Sequence, residues 1–80
     1  MKIKITYYGQ FRDITGLKEE EIEAKDGITV VELRDQVREK YPRIAAKDEV
    51  LVAVNNSFAP LETVVKKDDQ VAFFPPVSGG

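Results

Sequence analysis

The stretch that decides how this chain is organised is Val71-Ala72-Phe73-Phe74-Pro75-Pro76-Val77-Ser78-Gly79-Gly80. It starts as an apolar strand and runs into two prolines. Proline has no backbone donor and a fixed φ, so a paired interior strand cannot continue through Pro75. The two final glycines have no side chain and reach almost any backbone conformation. The sequence therefore predicts a folded body over residues 1–75 and a slender, flexible tail over residues 76–80.

Composition limits what this body can be. The chain has 80 residues, 42% of them hydrophobic and 32% charged, which predicts one small domain with a real core. Its net charge of -2 provides no basic field for nucleic acid. It lacks an apolar run of about 18 residues and a signal-like segment. We therefore expect a cytoplasmic protein with neither nucleic-acid nor membrane partners.

Two residue types are missing from the chain, cysteine and histidine. Their absence excludes disulfides, a thiolate nucleophile and zinc–thiolate clusters. It also removes the commonest general base and the commonest metal ligand. The side chains are therefore poor candidates for covalent chemistry, and the terminal carboxylate of Gly80 is the better one.

Alternation of polar and apolar residues predicts two strands near the N-terminus, over residues 2–8 and 19–25. The first strand directs Ile3, Ile5 and Tyr7 to one face and Lys4, Thr6 and Tyr8 to the other. A hairpin between the two strands places the acids of the second near the lysines of the first. We interpret that acidic run as a solvated sheet edge. Residues 9–17 are predicted to form a loop anchored by Phe11 and Ile14.

A helix is predicted after Asp26-Gly27. Thr29 and Glu32 have capping-box spacing, and the residue before Pro42 is the predicted helix end. The apolar run 50–54 is typical of a strand covered on both faces or at an interface. Asn55-Asn56 suits a two-residue turn into a short strand. With the last strand, this order predicts an α+β fold, one main helix on one face of a mixed sheet of four to five strands.

The adjacent rings Phe73 and Phe74 define the face that the helix leaves open. Consecutive strand residues point to opposite faces. If Val71 and Phe73 enter the core, Phe74 points to the open face with Tyr8, and Phe58 can join them. Exposed aromatic patches of this kind are typical of partner-docking surfaces. The alternative is a loop that folds over these rings within the monomer.

Taken together, these features resemble the β-grasp, ubiquitin-like sulfur carriers, and within them the small subunits of molybdopterin synthase. The resemblance spans essentially the whole chain. It rests on Tyr7-Tyr8-Gly9-Gln10-Phe11-Arg12-Asp13, on Val52-Ala53-Val54-Asn55 and on the ending from Val71 to Gly80. The Phe-Phe-Pro-Pro-Val run separates these subunits from the thiamine-pathway carriers, which also end in Gly-Gly. Lys67-Asp68-Asp69-Gln70 departs from the family's usual Gly-Asp-Glu type of turn.

The resemblance implies sulfur chemistry at Gly80. An adenylating, E1-like enzyme that uses ATP and Mg²⁺ activates the carboxylate, and a sulfur donor then converts it to a thiocarboxylate. The large subunit of molybdopterin synthase receives the tail, and the sulfur passes to the cyclic pyranopterin precursor. Gly79 and Gly80 then enter a channel too narrow for a Cβ. The chain itself is expected to bind no cofactor and no metal.

The resemblance also implies which residues meet the large subunit. They are Tyr8, Phe58 and Phe74, Arg12 at the patch edge, and Pro75, Pro76, Val77 and Ser78 along the tail. Pro75 and Pro76 would stiffen the exit and limit the entropy lost on insertion. Three alternatives stay open: a ubiquitin-like modifier conjugated to lysines through Gly80, a thiamine-pathway sulfur carrier, and a non-covalent interaction module whose tail is incidental.

Overall fold

The computed structural model describes residues 1–46 and 49–76. Its elements in chain order are β1 (Lys2–Tyr7), α1 (Gln10–Thr15), β2 (Glu19–Glu23), α2 (Val30–Lys40), α3 (Pro42–Ala45), β3 (Leu51–Val54), β4 (Ser57–Phe58) and β5 (Gln70–Phe74). The predictions for Val77, Ser78, Gly79 and Gly80 lie outside the described residues.

The strands form one mixed sheet in the order β2-β1-β5-β3-β4. β1 pairs antiparallel with β2 and parallel with β5, while β3 pairs antiparallel with both β5 and β4. The central strands therefore come from opposite ends of the chain. The predicted α+β arrangement of five strands with one main helix is confirmed.

The core lies between the sheet and α2. The helix begins with the predicted capping box, in which the Thr29 hydroxyl accepts from Glu32 N at 3.3 Å and the Glu32 carboxylate accepts from Thr29 N at 3.0 Å. The helix ends at Lys40, before Pro42, as predicted. The largest fully buried side chains are Tyr7, Phe11, Phe73, Ile3, Ile5, Leu33, Ile44, Val30, Val37, Val65 and Val71.

The loop predicted over residues 9–17 is wrong, because Gln10–Thr15 form α1. At six residues the helix is too short for a 3.6-residue period to show in the sequence. Phe11 is completely buried and Ile14 packs against the core, so both predicted anchors are confirmed. The four-residue helix α3 was not predicted either; it starts at Pro42, a residue well suited to a first helical position.

The hairpin of β1 and β2 brings acids and lysines together as predicted. Lys2 lies opposite Glu23 and Lys4 opposite Glu21, and Lys4 Nζ is 3.3 Å from Glu19 Oε2. Both members of that ion pair are about half exposed, and exposed pairs of this kind contribute little stability. The pairing therefore supports the strand register more than it stabilises the fold.

Two turns depend on residues with positive φ. Asn55 and Asn56 have φ of 51° and 71°, which confirms the predicted two-residue turn between β3 and β4. Asp68 has φ of 71°, so the turn before β5 adopts a left-handed conformation without glycine. The Asp69 carboxylate supports it by accepting from Lys66 N at 2.7 Å and from Asn55 Nδ2 at 2.9 Å.

Candidate docking face and tail exit

Three aromatic rings lie together on the sheet face opposite α2. The rings of Tyr8 and Phe74 are stacked, with centroids 4.5 Å apart and planes 8° from parallel. Phe58 meets Phe74 edge-on at 5.8 Å. Tyr8 and Phe58 remain 38% and 68% exposed, so within the described residues the rings cover one another and no loop buries the group. We call Tyr8, Phe58 and Phe74 the aromatic face.

The register of β1 and β5 creates the stack. Tyr7 lies opposite Phe73, and both are fully buried under the helix. The next residue on each strand points the other way, so Tyr8 and Phe74 become neighbours on the open side. Tyr8 N donates to Phe73 O at 3.1 Å and fixes this alignment. The predicted face assignment is therefore confirmed.

A shallow groove of about 250 Å³ runs beside the aromatic face. Its floor includes Ala53 and Ala72, and its walls include the three rings. Ala53 is only 6% exposed although it lies on the side away from the helix. Ala53 is thus largely covered, while Leu51 and Val54 at the two ends of β3 are half-buried. The groove is therefore lined by small residues as well as by the large rings.

Arg12 lies at the edge of this face, where the sequence places it. Its Nε donates to Tyr7 O at 2.9 Å, and its Cζ lies 5.4 Å from the centroid of the Tyr8 ring. Cation–π contacts of this geometry are attractive. Arg12 therefore holds the Tyr8 ring from one side, and its role in binding a partner stays a prediction.

The chain leaves the sheet directly beyond the aromatic face. β5 ends at Phe74, and the half-buried Pro75 and Pro76 follow. This confirms that the strand stops before the two prolines. The predicted sites at Val77, Ser78, Gly79 and Gly80 lie beyond the described part of the chain, so their roles stay predictions.

Sequence reasoning missed a polar cluster around Glu20. The Glu20 carboxylate accepts from Tyr7 Oη at 2.7 Å, from Tyr41 Oη at 2.5 Å and from Lys40 Nζ at 2.6 Å. Its side chain is only 10% exposed, so the interpretation of the acidic run as a solvated edge is wrong for Glu20. The alternation of polar and apolar residues could have predicted this burial, because it places Glu20 on the same face as the buried Ile22.

Glu20, Tyr7 and Tyr41 each keep a single protonation state at neutral pH. Burial disfavours the charged form of Glu20, but the hydrogen bonds from Lys40, Tyr41 and Tyr7 outweigh it and lower the pKa of its carboxyl. Burial is the main reason that the pKa of Tyr41 is raised to about 12, and the neighbouring Glu20 carboxylate adds to the rise. The same two causes raise the pKa of Tyr7. Both phenols are therefore hydrogen-bond donors at neutral pH, and the cluster fastens β2 to the end of α2.

Other kinds of site find no support in the described residues. No group of three or more acidic side chains in residues 1–46 and 49–76 is placed to hold a metal ion. Among the helices of those same ranges, none has the length and apolar character needed to cross a bilayer. The cellular location stays a prediction.

Comparison with known proteins agrees with this architecture. The ThiS family matches residues 5–80. The molybdopterin synthase sulfur carrier subunit of Mycobacterium tuberculosis is 40% identical over 82 aligned positions, which cover 100% of this chain and 99% of that protein.

Solved structures share the ubiquitin-like β-grasp fold. The putative molybdopterin converting factor subunit 1 of Pyrococcus furiosus matches with a TM-score of 0.88 and 29% identity, covering 96% of this chain and 99% of that one. A chain of the Helicobacter pylori complex between subunits 1 and 2 of molybdopterin-converting factor matches with a TM-score of 0.70 and 25% identity, with full coverage of both chains. The resemblance inferred from the sequence is thereby confirmed: this chain belongs to the ThiS family, together with the molybdopterin synthase sulfur carrier subunits that it matches.

Proposed function

We propose that this chain is the sulfur carrier subunit of a molybdopterin synthase. The observation that carries the proposal is the 40% identity to the Mycobacterium tuberculosis sulfur carrier subunit over the whole length of both chains. The fold supports the proposal with the exposed aromatic face and with β5, which ends at Phe74 within that face. The sulfur would travel on the end of the chain, at the carboxylate of Gly80.

The aromatic face is the proposed contact with the large synthase subunit. Tyr8, Phe58 and Phe74 expose apolar rings around a groove with a small-residue floor. Large aromatic side chains dominate the binding energy of many protein interfaces. The related Helicobacter pylori chain belongs to a complex of subunits 1 and 2, which supports the same type of partner here. A large subunit seated on this face would have the residues after Pro76 within its reach.

Activation of Gly80 needs a better leaving group, because a carboxylate is an anion that resists nucleophilic attack. In the proposed step a carboxylate oxygen attacks the α-phosphate of ATP and displaces pyrophosphate, which yields an acyl-adenylate. A sulfide-level donor, HS⁻, then attacks the carbonyl carbon, the bond from that carbon to the AMP oxygen breaks, and AMP leaves. Gly80 then carries a thiocarboxylate, with no change of oxidation state. ATP and Mg²⁺ would be bound by the adenylating partner and not by this chain.

Sulfur transfer follows on the large subunit. The thiocarboxylate sulfur would attack a carbon of the cyclic pyranopterin precursor and displace an oxygen leaving group from it. Water would then hydrolyse the resulting thioester, which leaves the sulfur on the precursor and returns Gly80 to a carboxylate. Two such transfers build the dithiolene that binds the metal. The tail would be the reacting segment and the folded body its carrier, which fits a chain without cysteine or histidine.

Mass spectrometry tests the proposal. The full chain is incubated with its adenylating enzyme, Mg²⁺-ATP and a sulfur donor, and the intact mass should rise by the difference between sulfur and oxygen. A chain lacking Gly80 is the matched control and should keep its mass. The proposal is wrong if the full chain is unchanged under conditions that charge a known carrier.

Three further outcomes would each favour an alternative. Gly-Gly remnants on lysines of other proteins, without thiocarboxylate, would identify a protein modifier. Full pathway function after deletion of Gly80 would identify a non-covalent interaction module. Sulfur delivery to the thiamine pathway, with no molybdopterin formed, would identify a thiamine-type carrier.

A further inference from the structure

We propose that Gly9 is a positioning residue for sulfur transfer: it seats the ring of Pro75 and so sets the direction in which the chain leaves the sheet. The inference rests on the proposed function, since the direction matters only if the tail must reach a partner's active site. Gly9 itself would touch neither the pyranopterin nor the reacting sulfur.

The parallel ladder between β1 and β5 stops where Gly9 begins. Tyr8 N donates to Phe73 O, and in a parallel ladder the Tyr8 carbonyl would next accept from residue 75. Residue 75 is a proline and has no donor. The Tyr8 carbonyl instead accepts from Phe11 N at 3.1 Å. Hydrogen bonding between β1 and β5 therefore does not set the direction of the chain after Phe74. Another contact must set that direction.

The contact available is between Pro75 and the bare backbone of Gly9. Gly9 has φ of 56° and ψ of -138°, a region that only glycine enters easily. A Cβ at this position would lie 3.0 Å from Pro75 Cγ and 3.4 Å from Pro75 Cδ. The shorter distance is too close for an ordinary carbon–carbon contact. A Cβ at position 9 would thus require the proline ring to shift by a few tenths of an ångström.

Both sides of this contact are held in place. Arg12 N donates to Gly9 O at 3.1 Å at the start of α1, and Arg12 Nε donates to Tyr7 O. On the other side, Phe74 is paired with Leu51 of β3. The turn and the strand are each tied to a neighbouring element, so we expect a displacement at Pro75 to alter the direction in which the chain continues.

The other described glycines differ in this respect. Gly16 also has positive φ, 75°, and ends the same short helix, but a Cβ on it would meet nothing within 4 Å. Gly27 is equally open. Gly16 therefore provides a control that strains the backbone without touching a proline.

The experiment separates docking from transfer. The full chain is prepared with a thiocarboxylate at Gly80, obtained by sulfide cleavage of a C-terminal thioester, so no activating enzyme is needed. Binding to the large subunit of the same organism gives Kd, and single-turnover loss of sulfur to the pyranopterin precursor at saturating large subunit gives the transfer rate. Wild type, Gly9→Ala, Gly16→Ala, Pro75→Ala and the double variant Gly9→Ala/Pro75→Ala are compared after circular dichroism shows that each is folded.

Gly9→Ala should slow transfer by about tenfold or more, because small errors in the position of a reacting group have large effects on rate. Its Kd should stay within about threefold of wild type, because the aromatic face is retained. Gly16→Ala should transfer at the wild-type rate. In the Pro75→Ala background, Gly9→Ala should have little further effect, since the ring atoms it displaces are gone.

Equal transfer rates for Gly9→Ala and Gly16→Ala would overturn the inference. So would a Gly9→Ala effect that is undiminished in the Pro75→Ala background, or one confined to Kd. Absence of transfer from the wild-type chain would instead count against the proposed function, so the two failures are distinguishable. If Gly9→Ala does not fold, the double variant is compared with Pro75→Ala: a double variant that folds and transfers at the Pro75→Ala rate supports the contact, and one that still fails to fold, or loses further rate, overturns it.

Discussion

Phe74 shows how one residue acquires a role from its neighbours on the strand. Phe73, one position earlier, is fully buried beneath α2. Phe74 points to the opposite face, where its ring centroid lies 4.5 Å from that of Tyr8 and 5.8 Å from that of Phe58. The two phenylalanines therefore have different functions, one in the core and one on the surface.

Phe74→Ala should weaken binding to the large subunit by about tenfold or more, since central aromatic residues are typical hot spots. The free energy of unfolding should fall by only about 1 kcal/mol, the loss expected for aromatic pair contacts. Phe73→Ala is the matched control and should lose about 3–5 kcal/mol. Calorimetric titration and urea unfolding measure the two effects. Equal losses of stability in the two variants would show that the face assignment is wrong.

Glu20→Gln tests the polar cluster around Glu20. The amide would keep the shape of the carboxylate but lose the charge that Lys40, Tyr41 and Tyr7 share. We expect the free energy of unfolding to fall by about 1–3 kcal/mol. Glu21→Gln, exposed on the same strand, should change it by less than about 0.5 kcal/mol. Indistinguishable urea midpoints for the two variants would rule out a stabilising role for the cluster.

At the scale of the element, α2 depends on its first turn. The Thr29–Glu32 capping box satisfies backbone donors that the helix leaves free. Glu32 also forms an ion pair with Lys25 at 2.5 Å. The hydrogen bonds from Lys25 and from Thr29 lower the pKa of Glu32 from about 4.5 to about 2. The start of the helix is therefore sensitive to acid.

The sign of this effect follows from the lowered pKa. A carboxyl whose pKa is lower in the folded state contributes stability above its ordinary pKa and loses it as the pH falls toward the folded value. For Glu32 that window runs from about 4.5 down to about 2, and the lowered pKa values of Glu20 and Asp69 act in the same direction. We expect the urea midpoint to fall steadily when the pH is lowered from 5 to 2.5.

Glu32→Gln isolates the share that belongs to the helix cap. Glutamine still suits a capping box but cannot ionise, so this variant should show a smaller fall of the urea midpoint over the same pH range. Because the Lys25–Glu32 pair is exposed, added salt should reduce the difference between wild type and variant. A variant with the same pH dependence as wild type would contradict the assignment.

At the scale of the whole molecule, stability and reactivity are assigned to different parts. The core is built from β1, β2, β3, β5 and the three helices, and every fully buried large side chain among the described residues precedes Pro75. The proposed reacting group is at Gly80. Changes at the end of the chain should therefore alter chemistry while leaving the folded body as it is.

Deletion of Gly80 should abolish sulfur loading, and Gly80→Ala should slow loading or transfer by hindering entry into a narrow channel. Neither change should shift the thermal midpoint by more than about 1 °C, since neither removes a core contact. Intact mass and thermal unfolding measure the two properties separately. Wild-type turnover by Gly80→Ala would contradict a tight channel.

Particular residues show how far sequence reasoning reached. Alternation assigned Tyr7, Phe73 and Phe74 to the correct faces, and the spacing of Thr29 and Glu32 identified the start of α2. α1 was missed because six residues show no helical period. The cluster at Glu20 was missed because its partners Tyr41 and Lys40 come from a distant helix end.

The sequence by itself determined the inward faces of β1 and β5, where α2 starts and where the last strand ends, and the absence of cysteine and histidine leads to the prediction that Gly80 is the reactive group. These features depend on local periodicity, on the chemistry of proline and on composition. Only the tertiary structure decided that β1 and β5 are parallel neighbours, which stacks Tyr8 on Phe74 and seats Pro75 on Gly9. Alternation assigns each residue to a face, but it does not specify the neighbouring strand, because that choice depends on packing between distant parts of the chain.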